Sequence, residues 1–239
     1  VVVDMGINAD MSGVPNLLDR KIAWGTKNIA QGPAMTRLEA IRSIETGIEI
    51  ADEKAREGYR VFTIGEMGIS NTTSSACILG AFNHWNAIEV TGRGTNISDE
   101  RLRHKIDVVQ RAMDVNHPDP NDGLDVLSKV GGFEYGCMTG VILGAAANHA
   151  LTIIDGFNTT ASAFIAKALC PEVVHYLMAS HLSLEQAHKK SLAALGLTEY
   201  IDLDFRLGEA IGAGIQTRML DYALSVYREC AAKEEEVKA

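Results

Sequence analysis

Apolar residues recur with two different periods along the chain. Short runs rich in apolar and β-branched residues, Val1–Asp4, Arg60–Ile64, Ala87–Val90, Leu151–Asp155, His175–Ala179 and Tyr200–Leu203, predict strands. Between them apolar positions repeat at helical spacing. Ile41, Ile44, Ile48, Ala51 and Ala55 form one stripe, and Leu102, Ile106, Val109 and Met113 a second. Ile211, Ile215, Met219, Tyr222 and Val226 mark a last helix. Strand and helix patterns that alternate in this way predict an α/β fold, a Rossmann-like, mainly parallel sheet flanked by helices. No linker or repeat divides residues 1–239, which read as one domain. The charged tail Lys233–Ala239 reads as a solvated helix end.

In open sheets of this kind ligands bind beyond the carboxyl ends of the strands. The loop Gly65–Thr73 follows a predicted strand and contains Glu66, Gly68 and the cap-forming Asn71, Thr72 and Thr73. Glycines there allow close approach to a ligand, and a helix start offers N–H groups to an anion. From spacing alone Glu66 reads first as a surface carboxylate near a cap. The second loop holds Gly92, Arg93, Gly94, Thr95 and Asn96. Its Gly92-x-Gly94 start suggests a dinucleotide loop, but Ile97 replaces the third glycine. A phosphate cradle of backbone N–H groups beside Arg93 is the simpler reading. Lys105 either reaches back to that cradle or snorkels from an apolar stripe.

Gly132, Gly136, Gly140 and Gly144 fall on one face of a helix, interrupted by Glu134. Each costs about 1 kcal/mol against Ala, so the stripe predicts close packing. Asp155 before Gly156 reads as a cap for the next helix. Arg206–Ala213 reads as the opening of the last helix, with Glu209 in its first turn. The helix dipole favours an ionised carboxylate there, whereas an apolar setting of Leu207 and Ile211 favours a general base. The residues leave both open.

Composition narrows the function. Twenty-two basic against 31 acidic residues give a net charge of −9, which argues against a sequence-independent nucleic-acid binder. No run of about 18 apolar residues is present, so no membrane span is expected. The opening Val1-Val2-Val3-Asp4 is no signal peptide and reads as the middle of a strand, so upstream sequence is expected. Cys77, Cys137, Cys170 and Cys230 lack metal spacing and read as reduced, mostly buried thiols of a cytoplasmic protein. The seven histidines form no ligand pair.

Several strings together carry a resemblance: Asn28–Thr36, Gly65–Thr73, Lys105–Val109, Asp125–Gly132, Asp155–Phe157, Ser180–Ser183 and Arg206–Glu209. In order and over nearly the whole chain, they resemble the nicotinate-nucleotide:dimethylbenzimidazole phosphoribosyltransferase family. The resemblance implies a nucleotide-binding catalytic domain that moves the 5-phosphoribosyl group of nicotinate mononucleotide to 5,6-dimethylbenzimidazole. It implies Glu209 as the base, Glu66 at the ribose or the cationic transition state, and Lys105 at the phosphate or in charge balance. Gly68, Asn71, Thr72, Ser183, Arg206, Leu207 and Gly208 complete the expected substrate-binding set beside residues 92–96. No metal or cofactor is implied, and a dimer is. In two respects the chain departs from the family. An N-terminal region that helps form the base pocket does not appear ahead of Val1, and Ala210 and Ile211 stand where glycine and then Ser or Thr are usual. The second departure raises a phenolic acceptor in a pair of unlike subunits as an alternative. A non-catalytic partner subunit is another, and retention of Glu66, Lys105 and Glu209 argues against it.

Overall fold

The structure is a computed structural model that describes residues 1–204 and 207–237, with side chains to residue 230. A three-stranded parallel sheet forms its centre. Its strands β1 (Val61–Ile64), β2 (Leu151–Ile154) and β3 (Leu177–Ala179) lie in that order, in registers Val61↔Leu151 and Thr152↔Leu177. The middle strand is nearly all buried, as a strand covered on both faces should be. The first predicted strand forms elsewhere: Val2–Asp4 pairs in parallel with Leu17–Asp19 as a separate two-stranded ribbon. The α/β expectation with parallel strands and flanking helices holds.

Two predicted strands do not form. Ala87–Val90 is a single helical turn, because Asn86 caps it and Glu89 returns the bond, a capping box that outweighs the β-branched residues. Tyr200–Leu203 makes only one bridge, Ile201 to His181, which extends the sheet beyond the end of β3. Residues 175 and 176 belong to a 3₁₀ turn over Pro171–Tyr176, so β3 starts later than its sequence run.

Helix α1 (Arg37–Arg56) carries the first predicted stripe, and Thr36 closes a capping box with Glu39. Helix α2 (Thr72–Asn83) follows β1, and α3 (Asp99–Asn116) starts at the Ser98 cap. Helices α4 (Gly123–Val130) and α5 (Phe133–Ala147) lead to β2, and α6 (Phe157–Leu169) crosses to β3. Gly136, Gly140 and Gly144 lie where α5 crosses α1, whereas Gly132 stands before the helix as its cap residue and faces Glu134. A Cβ on Gly140 would stand 2.0 Å from the Ile44 carbonyl oxygen, and one on Gly136 would stand 1.8 Å from Ser43 Oγ. Gly47 of α1 answers from the other side, 2.0 Å from the Cys137 carbonyl oxygen by the same construction. The two backbones touch there, and most of α5 is buried.

Helix α7 (His188–Leu195) precedes the long last helix α8 (Ile211–Val237). The apolar stripe of α8 is largely uncovered among the described residues: Met219 is 43% and Tyr222 73% exposed. Cys77 and Cys137 are buried, but Cys170 and Cys230 are exposed, so the expectation of mostly buried thiols holds for half of them. Of the charged tail, the backbone continues as helix to Val237, and residues 238–239 lie outside the described residues. No helix among the described residues is long and apolar enough to cross a membrane.

Candidate active site

A cleft of about 710 Å³ opens beyond the carboxyl ends of β1 and β2. The loops after the three strands line it, as does the turn before α3. It brings together Glu66, Gly68, Asn71, Thr72, Arg93, Gly94, Thr95, Lys105, Ser183, Leu207, Gly208 and Glu209. Gly92 borders it through its carbonyl oxygen, which accepts from Lys105 Nζ at 3.1 Å. Asn96 sits in the same tight turn with positive φ. Arg206 lies outside the described residues. The string Asn28–Thr36 lies at a separate hollow of about 600 Å³ that shares no lining residue with the cleft.

Glu66 leaves the end of β1 and is held by three donors. Gly68 N–H donates to Oε2 at 3.0 Å, Asn71 Nδ2 to the same oxygen, and Asn158 Nδ2 to Oε1 at 2.7 Å. The surface reading of Glu66 is therefore replaced by a fixed, half-buried carboxylate. Asn71 occupies the cap position of α2 but makes no cap bond. Its side chain is spent on Glu66 and on Glu134 Oε1 at 3.3 Å, and its Oδ1 accepts from Asn158 at 3.0 Å. Behind this layer, Ser75 Oγ donates to Asn158 Oδ1 at 2.6 Å, and Tyr135 donates to the Asn71 carbonyl at 2.8 Å. Burial pushes the Glu134 carboxyl up, against the Asn71 bond that lowers it.

Lys105 reaches the cleft rather than snorkelling. Its Nζ donates to Thr72 Oγ1 at 2.7 Å as well as to Gly92. Burial lowers its pKa, and the charge of Glu185 works against that shift. Arg93 is engaged within its own loop, paired with Asp99 and donating to the Ile97 carbonyl at 2.9 Å. It lines the cleft with a guanidinium already neutralised, which weakens its role as a phosphate ligand.

Glu209 does not lie in the first turn of the last helix, which starts at Ile211. Gly208, Glu209 and Ala210 form a left-handed turn ahead of it, with φ of 74°, 57° and 63°. Two non-glycine residues there carry strain of about 1–3 kcal/mol each. The turn packs tightly on β1, since a Cβ on Gly65 would lie 2.2 Å from Ala210 N. Leu207 is 63% and Ile211 43% exposed, so they do not form an apolar pocket around Glu209, itself exposed at the cleft.

Asp155 is a cap, but not for the helix that follows it. It accepts from Ala213 N at 3.0 Å and so ties the end of β2 to the start of α8, 58 residues further along the chain. His181 stands 3.9 Å from the same oxygen. Burial raises the Asp155 carboxyl and lowers the His181 imidazole, so His181 is neutral at pH 7. His188 fixes the Ser183 loop: its Nδ1 accepts from Ser183 N at 2.9 Å, which leaves Nε2–H to donate to Thr160 Oγ1 at 3.1 Å. Burial lowers its pKa to about 3.

Asn158, Glu134, Glu185 and His188 join the site without being candidates on sequence grounds, and His181 entered only as part of the string Ser180–Ser183. Glu134 alone gives a signal, as a charge interrupting an apolar glycine-rich helix. Among the described residues no group of three or more His, Cys, Asp or Glu is placed to hold a metal ion.

A parallel α/β fold that gathers a fixed carboxylate, a half-buried lysine and glycine turns beyond its strand ends has the form of a small-ligand site. Comparison with known proteins makes the class specific. Residues 1–237 match the family described as phosphoribosyltransferase. The nicotinate-nucleotide–dimethylbenzimidazole phosphoribosyltransferase of Clostridioides difficile (strain 630) is 46% identical over 235 residues, 98% of this chain and 67% of that protein. The protein of the same name from Syntrophotalea carbinolica is 49% identical over 237 residues, 98% of this chain and 67% of that one. The crystal structure of CobT from Thermus thermophilus superposes with a TM-score of 0.89 at 39% identity, over 93% of this chain and 66% of that one. The chain thus spans about two thirds of the length of these relatives, and it belongs to this phosphoribosyltransferase family.

Proposed function

We propose that the protein transfers the 5-phosphoribosyl group of nicotinate mononucleotide to 5,6-dimethylbenzimidazole. A benzimidazole nitrogen attacks the anomeric carbon, the bond to the pyridinium nitrogen breaks, and nicotinate leaves with that electron pair. The benzimidazole N–H proton passes to a base, and the products are α-ribazole 5′-phosphate and nicotinate. The single observation that carries this reading is the meeting of Glu66, Lys105 and Glu209 in one cleft, from three separate segments, in a chain of this family.

Each group has work suited to its setting. Glu209, exposed on the left-handed turn, takes the proton, a contribution of about 10²–10⁴-fold. Glu66, locked by three donors, presents a fixed negative charge to the cationic ribosyl centre in the transition state. Lys105 has two of its three N–H bonds spent on Thr72 and Gly92, and the third serves the substrate's negative charge. Gly68, Thr72, Ser183 and the Leu207–Gly208 backbone line the nucleotide and base pockets. The phenolic alternative finds no support: the relatives compared above are named for dimethylbenzimidazole. Ala210 instead occupies the left-handed position where a family glycine is at ease.

The reading includes a cytoplasmic dimer. The uncovered apolar stripe of α8 supports the second copy. Incubation with nicotinate mononucleotide and dimethylbenzimidazole tests the reaction. Stoichiometric nicotinate and α-ribazole phosphate are expected, and absence of nicotinate release refutes it.

A further inference from the structure

We infer that Glu185 is the sugar-recognition residue of the cleft, its carboxylate accepting a hydrogen bond from a ribose 2′- or 3′-hydroxyl. The inference rests on the reaction proposed above. Glu185 lines the cleft on the loop after β3 and is only 7% exposed. Its Oε2 is enclosed against Gly92 without a donor, and Oε1, which no described donor reaches either, is the oxygen left to the cleft. Lys105 feels its charge but forms no ion pair with it within 4.0 Å. A buried carboxylate left without donors is costly, and a folded protein retains such a group where something else completes it.

Gly92 shows that the space around this carboxylate is reserved. A Cβ at position 92 would stand 2.0 Å from Glu185 Oε2 and 2.8 Å from Cδ. The backbone of the 92–96 turn thus presses on the acid from one side while the cleft lies on the other. The substrates' own chemistry then selects the donor. The 5′-phosphate and the nicotinate carboxylate are anions, which a second carboxylate repels. The benzimidazole N–H is taken by Glu209. The ribose hydroxyls are the donors that remain. Glu66 is a poorer acceptor for them, because Gly68, Asn71 and Asn158 already occupy its oxygens.

The test compares nicotinate mononucleotide with its 2′-deoxy and 3′-deoxy analogues by titration calorimetry, on the wild-type protein and on Glu185→Ala. The wild type should bind one deoxy analogue weaker by on the order of 10- to 100-fold, the worth of a hydrogen bond to a charged group. Glu185→Ala should bind that analogue and the parent within about threefold of each other. Glu185→Gln, which keeps the volume, serves in its place if the alanine variant does not fold, and should shrink the discrimination. A wild type that does not discriminate, or a variant that keeps the full wild-type ratio, overturns the assignment. Nicotinate release is measured on the same samples. Turnover without discrimination refutes Glu185 and leaves the reaction standing, whereas discrimination without turnover supports Glu185 and refutes the reaction.

Discussion

Replacing Gly140 by alanine reverses the usual sign of a helical substitution. In a free helix Gly→Ala stabilises by about 1 kcal/mol. Here the new Cβ would lie 2.0 Å from the Ile44 carbonyl oxygen and 2.9 Å from Gly47 Cα. Side-chain carbons do not approach other atoms closer than 3.0 Å, so α1 and α5 must separate by at least 1.0 Å, the difference between 3.0 and 2.0 Å. Both obstructing atoms are backbone, so no rotamer change relieves them. Overpacking of this kind costs about 1–3 kcal/mol and occasionally more, and two rigid backbones place it at the upper end. A loss of about 3 kcal/mol corresponds to a fall in Tm of roughly 6–12 °C for a domain of this size. Thermal unfolding followed by circular dichroism reads it. Gly136→Ala provides the contrast, because its obstacle is Ser43 Oγ at 1.8 Å, which Ser43→Gly removes. The double variant should recover most of the single variant's loss. A Gly140→Ala protein as stable as the wild type would refute the close-contact account of the glycine stripe.

Three further outcomes follow from the site. His188 is buried and neutral, its pKa lowered to about 3 from 6.5, so the unfolded chain takes up a proton that the folded one refuses. Stability is complete above pH 6.5 and falls toward pH 3 by up to about 1.4 kcal/mol per pH unit. Urea unfolding of His188→Gln should show a shallower fall by about one proton, and parallel curves would contradict it. Burial lowers the pKa of Lys105, so nucleotide binding should weaken on an alkaline limb beginning below pH 10.5. Binding holds while Lys105 is charged and is lost as pH rises through its pKa; Lys105→Arg should remove the limb, and a limb that persists assigns it elsewhere. Asn158→Leu strips Glu66, Asn71 and Ser75 of a shared partner and should cost about 1–3 kcal/mol in unfolding assays, with a fall in kcat. An unchanged kcat would remove the network from the work of Glu66.

The parts of this fold that follow from local pattern are the parts the sequence displays. The strands at 61–64 and 151–154 and the stripes of α1 and α3 emerge from period alone. The run at 87–90 misleads because Ala-Ile-Glu-Val suits a strand, while the deciding contact is the reciprocal bond between Asn86 and Glu89. The Glu66, Lys105 and Glu209 trio comes from strand-end position together with family resemblance. Glu185 is not legible in this way. Its meaning depends on Gly92, far back along the chain, and on the absence of a donor, which only the folded chain displays. Asp155 shows the same limit: as a cap it is readable, but the helix it caps begins far along the chain.

The most direct measurement is the turnover of Glu209→Gln with nicotinate mononucleotide and dimethylbenzimidazole, read beside the Kd of the nucleotide. Glutamine keeps the shape of the turn-borne side chain and removes its ability to take the proton. With Glu209 as the base, kcat falls by about 10²–10⁴-fold while the Kd stays within about threefold of the wild type. A kcat equal to that of the wild type would contradict the assignment.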